Sequence, residues 1–405
     1  MIYQLYQAQS DFLEPIRAFA RLAVDRVGAY TPDGREDGAM RRWSAANEII
    51  GRLGLSHRRP PYGIASVLSG NREVAVTEEA TDVTPFCTLL RFKKDMAAAQ
   101  PRVLLVAPLS GHFATLLRDT VRTMLPDHDV YITDWHNARD VPLSKGAFGL
   151  DDYVDHLIRF LEKLGPGAHM VAICQPSVPA LVAAAVMAQE HNDAAPRSMT
   201  LMAGPIDTRI SPTQVNEFAV KRPISWFENN LIGSVPMRFA GAFRRVYPGF
   251  LQLTGFMSMN LDRHLKSFQE LYKHLVAGET EKANQIRDFY DEYFAVMDLT
   301  AEFYLETIKK VFQDHELPQG KLLYRGEKIE PWAIRRTALF TVEGERDDIC
   351  SVGQTVAAHD LCTGIRPYMK QHHVQTGVGH YGVFAGKKWH TQIYPRLRDF
   401  IHVSE

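Results

Sequence analysis

The sequence predicts an α/β fold with a mostly parallel central sheet, a helical insertion and an N-terminal helical extension. Three observations carry that expectation. Short apolar strands alternate with helices between about residues 103 and 204, the rhythm of a parallel sheet with right-handed crossovers. The rhythm stops near residue 207, where long amphipathic helices take over, and returns with TALFTVEG at 337–344. Ahead of it, Leu13, Ile16, Phe19, Ala20 and Val24 keep a spacing near 3.6 residues within a stretch, 1–55, that reads as helical. The division implied is residues 1–60 as the extension, 61–206 with 335–405 as the core, and 207–334 as a cap or lid.

After the PPYG break at 60–63, IASVLSG, EVAVTEEA and CTLLRFKK read as strands separated by polar turns, with Asn71 at a hairpin tip. VLLVAPL at 103–109 is a continuous apolar run, the mark of a strand covered on both faces, and DVYITDW at 129–135 follows. In LDDYVDHLIRFLEKLG, Leu150, Val154, Leu157 and Phe160 form one stripe and Gly165 stops the helix. Strand HMVAIC, helix VPALVAAAVMAQE and strand SMTLMAG come next. Within the insertion, LDRHLKSFQELYKHLVAG sets Leu261, Leu265, Phe268, Tyr272 and Leu275 on one face. Residues 285–312 continue as helix, with no buried strand expected between. RPYMKQHHV is the last strand, and a helix near 388–402 closes the chain.

Charge and cysteine content narrow the function classes. Over 405 residues, 46 basic side chains face 47 acidic ones for a net charge of -1, which argues against a nucleic-acid partner. The four cysteines, Cys87, Cys174, Cys350 and Cys362, are too few and scattered for a disulfide framework, so a reducing cytosol is expected. The first 27 residues carry Gln, Asp and Glu where an export signal would be apolar. The longest apolar run, VPALVAAAVMA at 178–188, is too short for a transmembrane segment.

One cysteine stands apart. Cys174 ends a buried strand and an alanine-rich helix follows directly. A buried cysteine is the ordinary alternative. Strand, sharp turn and helix are also the setting of a nucleophile elbow, where the helix N-terminus favours a thiolate and a developing oxyanion. The usual pattern is G-x-S-x-G; here it is A-x-C-x-P, with Pro176 expected in the first helical turn, where a missing N–H breaks no bond. In an α/β-hydrolase fold the acid and then the histidine follow the nucleophile. Asp347 and Asp348 lie just beyond ALFTVEG, and His380 sits in the glycine-flanked GVGHYGVFAG. Asp347 is preferred for its spacing from Gly344, with Asp348 as the alternative. The loop after VLLVAPL should add a backbone oxyanion donor, the N–H of Ser110 or of Leu109, to that of Gln175.

These segments, AICQPS, TVEGERDDI, GVGHYGVFAG and PLSGHFATLLRD, resemble those of intracellular polyhydroxybutyrate depolymerases, members of the α/β-hydrolase superfamily related to polyhydroxyalkanoate synthases. The synthases carry G-x-C-x-G and a longer N-terminal region, so hydrolysis is favoured. The resemblance implies an ester hydrolase of the bacterial cytoplasm, bound to granules of amorphous poly(3-hydroxybutyrate) and releasing monomer or short oligomers. It implies a Cys174, Asp347, His380 triad, an acyl-thioester intermediate and no metal or cofactor. Assembly into homo-oligomers is compatible with it. A synthase-like acyltransferase and a non-catalytic granule-binding protein are the alternatives. The aromatic-rich segment 223–260 reads as lid core, with some rings available to polymer. Asp134 and His136, the pair His372 and His373, and the other three cysteines read as structural.

Overall fold

The computed structural model describes residues 2–30, 38–97, 99–259 and 261–405; residues 31–37 of the stretch read as helical lie outside them. Seven strands precede residue 207: β1 (Ser66–Ser69), β2 (Arg72–Val83), β3 (Cys87–Lys94), β4 (Arg102–Val106), β5 (Asp129–Trp135), β6 (His169–Ile173) and β7 (Ser198–Met202). Three short ones follow, β8 (Gly233–Ser234), β9 (Arg245–Tyr247) and β10 (Leu299–Thr300), then the hairpin of β11 (Leu323–Tyr324) and β12 (Glu327–Lys328). Two longer strands, β13 (Ala338–Gly344) and β14 (Lys370–Gln375), complete the set.

The main sheet runs β1-β2-β3-β5-β4-β6-β7-β13-β14. β1, β2 and β3 pair antiparallel with their neighbours, and every pairing from β5 to β14 is parallel. This is an α/β-hydrolase fold, with the strand order reversing at β4. All five residues of β6 and of β7 are buried, as expected for strands covered on both faces. β2 alternates only at its start and has one face in water.

The helices of the core follow the parallel strands: α3 (Arg118–Met124) after β4, α4 (Leu150–Leu164) after β5 and α5 (Ser177–Gln189) after β6. Eleven of the thirteen residues of α5 are buried. It packs against both α4 and strands β6 and β7, so it is apolar all round rather than striped.

Between β7 and β13 stand α6 (Gln214–Lys221), α7 (Ile224–Leu231), α8 (Gly249–Met259), α9 (Leu261–Ala277), α10 (Thr280–Tyr293) and α11 (Ala301–Glu306). The structure corrects the expected continuous helix over 285–312. It breaks after Tyr293, because Ala295, Val296 and Met297 are fully buried and pair as extended chain. The N–H of Val296 donates to Ser56 O at 2.8 Å, and that of Met297 to Gly111 O at 2.9 Å. β10 then joins β9 and β8 in a small buried sheet that was not expected.

The first helices, α1 (Ile2–Tyr30) and α2 (Gly38–Arg52), form an antiparallel pair. Tyr6 stacks on Phe250 with ring centroids 3.9 Å apart, and the Tyr3 hydroxyl donates to Asp298 Oδ2 at 2.5 Å. Of the five apolar positions read along α1, Ala20 is buried but Ile16 and Phe19 face outward. α2 is tied to α10 by Glu48 with Arg287 and by Arg52 with Asp291.

Asp298 is buried, and burial pushes its pKa up to about 6 against the hydrogen bonds from Tyr3 and the Gly249 N–H. Between about pH 4 and 6 the folded protein therefore holds a proton that the unfolded chain has lost. The stability from this group is complete below about pH 4 and is lost as pH rises through about 6. Asp298→Asn removes the titration. The stability of the parent minus that of the variant, from urea melts, is expected to fall by about 3 kcal/mol between pH 4 and 7; a flat difference would contradict it.

Candidate active site

The register brings four chain segments to one edge of the sheet. Ile173 pairs with Met202, and Met202 with Val342, so the residues after β6, β7 and β13 emerge side by side. The N–H of Cys174 donates to Met202 O at 2.7 Å and that of Ala203 to Val342 O at 2.8 Å. Cys174 then turns sharply with φ +67°, a left-handed conformation that costs a non-glycine residue about 1–2 kcal/mol. α5 begins three residues later. Pro176 sits at the N-cap of that helix rather than inside its first turn. Pro179 is the third helical residue, where the N–H has no intrahelical partner to lose.

His380 follows β14 and opens a short 3-10 turn. Its Nδ1 lies 2.8 Å from Asp347 Oδ2, with the Asp347 side chain fully buried and that of His380 6% exposed. Asp347 Oδ1 accepts from the N–H groups of Ile349 and Cys350 at 2.9 and 2.8 Å. Asp348 is exposed. On its far side the imidazole is close enough to Cys174 for the two to interact; since Asp347 takes Nδ1, Nε2 is the nitrogen left for the thiol. Burial alone would pull the His380 pKa down. The interaction with Cys174 and the charge and hydrogen bond of Asp347 outweigh it, so the pKa stands well above the ordinary value.

Opposite the elbow, the loop after β4 turns at Gly111, whose φ of +98° and contact with Gln252 leave no room for a Cβ. His112 is buried between Phe256 and Tyr293. Burial lowers its pKa to about 4, so the neutral ring donates from Nε2 to Tyr293 O at 3.1 Å and anchors the loop. Among the described residues, no partner accepts the N–H groups of Leu109, Ser110 or Gln175.

The other singled-out residues are occupied elsewhere. Asp134 pairs with Arg59 at 2.6 Å, His136 bonds Thr88 and the Pro85 carbonyl, and His372 and His373 bond Thr341 and Gln375 respectively. Cys87, Cys350 and Cys362 are buried, and burial raises each thiol's pKa. Among the described residues no group of three or more His, Cys, Asp or Glu could hold a metal ion, and no helix is long and apolar enough to cross a membrane.

The profile of one family, described as PHB de-polymerase C-terminus, matches residues 203–405. The chain belongs to this family. The match takes in Asp347 and His380 and begins after the elbow. No curated protein matches the chain by sequence. Among solved structures, a 2-hydroxy-6-oxo-6-phenylhexa-2,4-dienoate hydrolase from a Rhodococcus species is 12% identical, covers 81% of this chain and 99% of its own, and has a TM-score of 0.45. A meta-cleavage product hydrolase from Pseudomonas fluorescens is 15% identical over 84% and 98%, with a TM-score of 0.42. An epoxide hydrolase from Bacillus megaterium is 10% identical over 83% and 99%, with a TM-score of 0.45. The fold rests on the strand order and the elbow rather than on these overlaps. Family and fold together support a hydrolase of the esterase type.

Three residues of the site escaped the sequence reading. Glu343, fully buried inside β13, accepts from the N–H groups of Gly353, Thr355 and Val356 at 3.0, 2.7 and 3.1 Å. That holds Thr355, whose hydroxyl accepts from the Gly204 N–H at 2.8 Å and donates to Gly204 O at 3.0 Å. Gly204 lies beneath the elbow, where a Cβ would fall 2.1 Å from Ser177 Cβ. The charge within the apolar run ALFTVEG was the one available signal.

Gly204→Ala is expected to lower stability by about 2 kcal/mol or more, because elbow or strand end must move. A urea midpoint equal to the parent's would mean that this backbone can slide away. Thr355→Val leaves the Gly204 N–H unpaired and should cost about 1–3 kcal/mol, with Thr355→Ser restoring the parent's midpoint.

Proposed function

We propose that the protein hydrolyses ester bonds of amorphous poly(3-hydroxybutyrate), with Cys174 as nucleophile, His380 as general base and acid, and Asp347 as the carboxylate that orients it. The observation that carries the reading is the buried Asp347–His380 pair near Cys174, whose own backbone makes a strained turn that opens a helix. The substrate class comes from the family to which the chain belongs. Residues 207–334 would serve as the lid over a core of 61–206 and 335–405, with 1–60 as the extension.

In this mechanism His380 Nε2 takes the thiol proton and the thiolate attacks the ester carbonyl. The imidazolium so formed faces the Asp347 carboxylate, which stabilises it. The N–H groups of Gln175 and Ser110 would bind the oxyanion, each worth about 3–4 kcal/mol. His380 returns the proton to the departing alkoxide, leaving an acyl-thioester on Cys174. It then takes a proton from water, which attacks the thioester; the Cys174 thiolate leaves and takes that proton back from His380 as the hydroxy acid is released.

Titrating acid released from native polymer granules tests this. Cys174→Ala is expected to abolish release, and Asp347→Asn to reduce it about 10³–10⁴-fold, by analogy with the loss of an orienting carboxylate. Asp348→Asn should stay within about twofold, since exposed substitutions away from such contacts do little. Unchanged release by Cys174→Ala would overturn the assignment. Elongation from a hydroxyacyl-CoA without net hydrolysis would instead place the activity with the synthases.

A further inference from the structure

Among the described residues, none covers the outer face of α1. Leu5, Phe12, Ile16, Phe19 and Leu22 are 64, 77, 52, 69 and 59% exposed. At about 100° per residue they share one sector roughly 120° wide. Between Leu5 and Leu22 that sector also holds Ala8 and Pro15 and no charge; Asp11 borders it, whereas Glu14 and Arg21 fall toward the far side of the helix. The opposite face is already spent on the fold through Tyr3, Tyr6 and Ala20. A contiguous apolar surface of this kind marks an interaction site.

We propose that this stripe is the surface by which the protein docks on the uncharged aliphatic polyester, an inference that rests on the function proposed above. Charge selects the occupant. α1 carries three arginines, Arg17, Arg21 and Arg26, against three acids, Asp11, Glu14 and Asp25. Glu14 pairs with Arg21 and Asp11 with Arg238. A helix that adsorbs to anionic lipid is rich in Lys and Arg, whereas a polyester surface offers methyl groups, methylenes and ester carbonyls without charge. Area speaks against a second copy of the chain. Leu5 to Leu22 spans about 26 Å, a strip of a few hundred Å² at helical width, short of the ~800 Å² per partner typical of stable dimers.

Position fits as well. The start of α1 rests on Phe250, and the same helix, α8, carries Gln252 and Phe256 against Gly111 and His112 beside the elbow. The docking face and the catalytic loop thus share one support.

The test is co-sedimentation of the full chain carrying Cys174→Ala with amorphous poly(3-hydroxybutyrate) granules, with and without Phe12→Lys plus Phe19→Lys or Phe12→Gln plus Phe19→Gln. The half-saturating concentration is expected to rise at least tenfold for both pairs. Turnover of a soluble short-chain ester by the same pairs with Cys174 restored should stay within twofold, showing that they fold. Unchanged granule binding would overturn the proposal. So would a parent dimer that both pairs dissociate, or equally tight binding to phosphatidylglycerol vesicles. A parent that hydrolyses no ester would sink the proposed function instead, since the binding readout needs no turnover.

Discussion

The site depends on the backbone of Cys174 being held at φ +67°, between a strand that ends and a helix that begins. The hydrogen bond from its N–H to Met202 O fixes one side of the turn. The missing Cβ of Gly204 makes room for the other. Nothing in the Cys174 side chain favours this conformation, so the surrounding packing must impose it. The Glu343 carboxylate fixes the loop that carries Thr355, and Thr355 clasps both backbone groups of Gly204. A buried acid about which the proposed chemistry says nothing thereby sets the floor on which the thiol stands.

The same loop serves the other end of the relay. Asp347 is held by the N–H groups of Ile349 and Cys350, and the Cys350 thiol lies against Thr355. The segment from 343 to 356 thus joins the carboxylate on His380 to the glycine under the elbow. Distances across the site are set by one short stretch of chain, not by independent loops.

The central sheet was legible because its strands are buried on both faces and read as uninterrupted apolar runs. The places of Cys174 and Asp347 at strand ends were legible for the same reason, since the ends of such runs are sharp, whereas His380 follows the polar edge strand β14 and was legible from its glycine-flanked loop. Preference for Asp347 over Asp348 came from spacing, and burial separates the two in the structure. The break after Tyr293 was not legible. Ala295, Val296 and Met297 suit helix or strand equally, and only their distant partners at Ser56 and Gly111 decide it. The outward turn of Ile16 and Phe19 was hidden likewise, because periodicity shows that a stripe exists and not which way it faces. Thr355 and Gly204 gave no signal, as their roles arise from contacts 151 residues apart in sequence.

The helices between β7 and β13 stand in sequence between Cys174 and the pair Asp347 and His380, and that order has a consequence for synthesis. At roughly 5–20 residues per second, a ribosome that has delivered Cys174 works for a further 10–40 seconds before it reaches His380. Throughout that interval the thiol has neither its imidazole nor the segment that braces Gly204. A nascent or truncated chain therefore carries the cysteine alone, and the proposed triad cannot assemble until the last strand has joined the sheet.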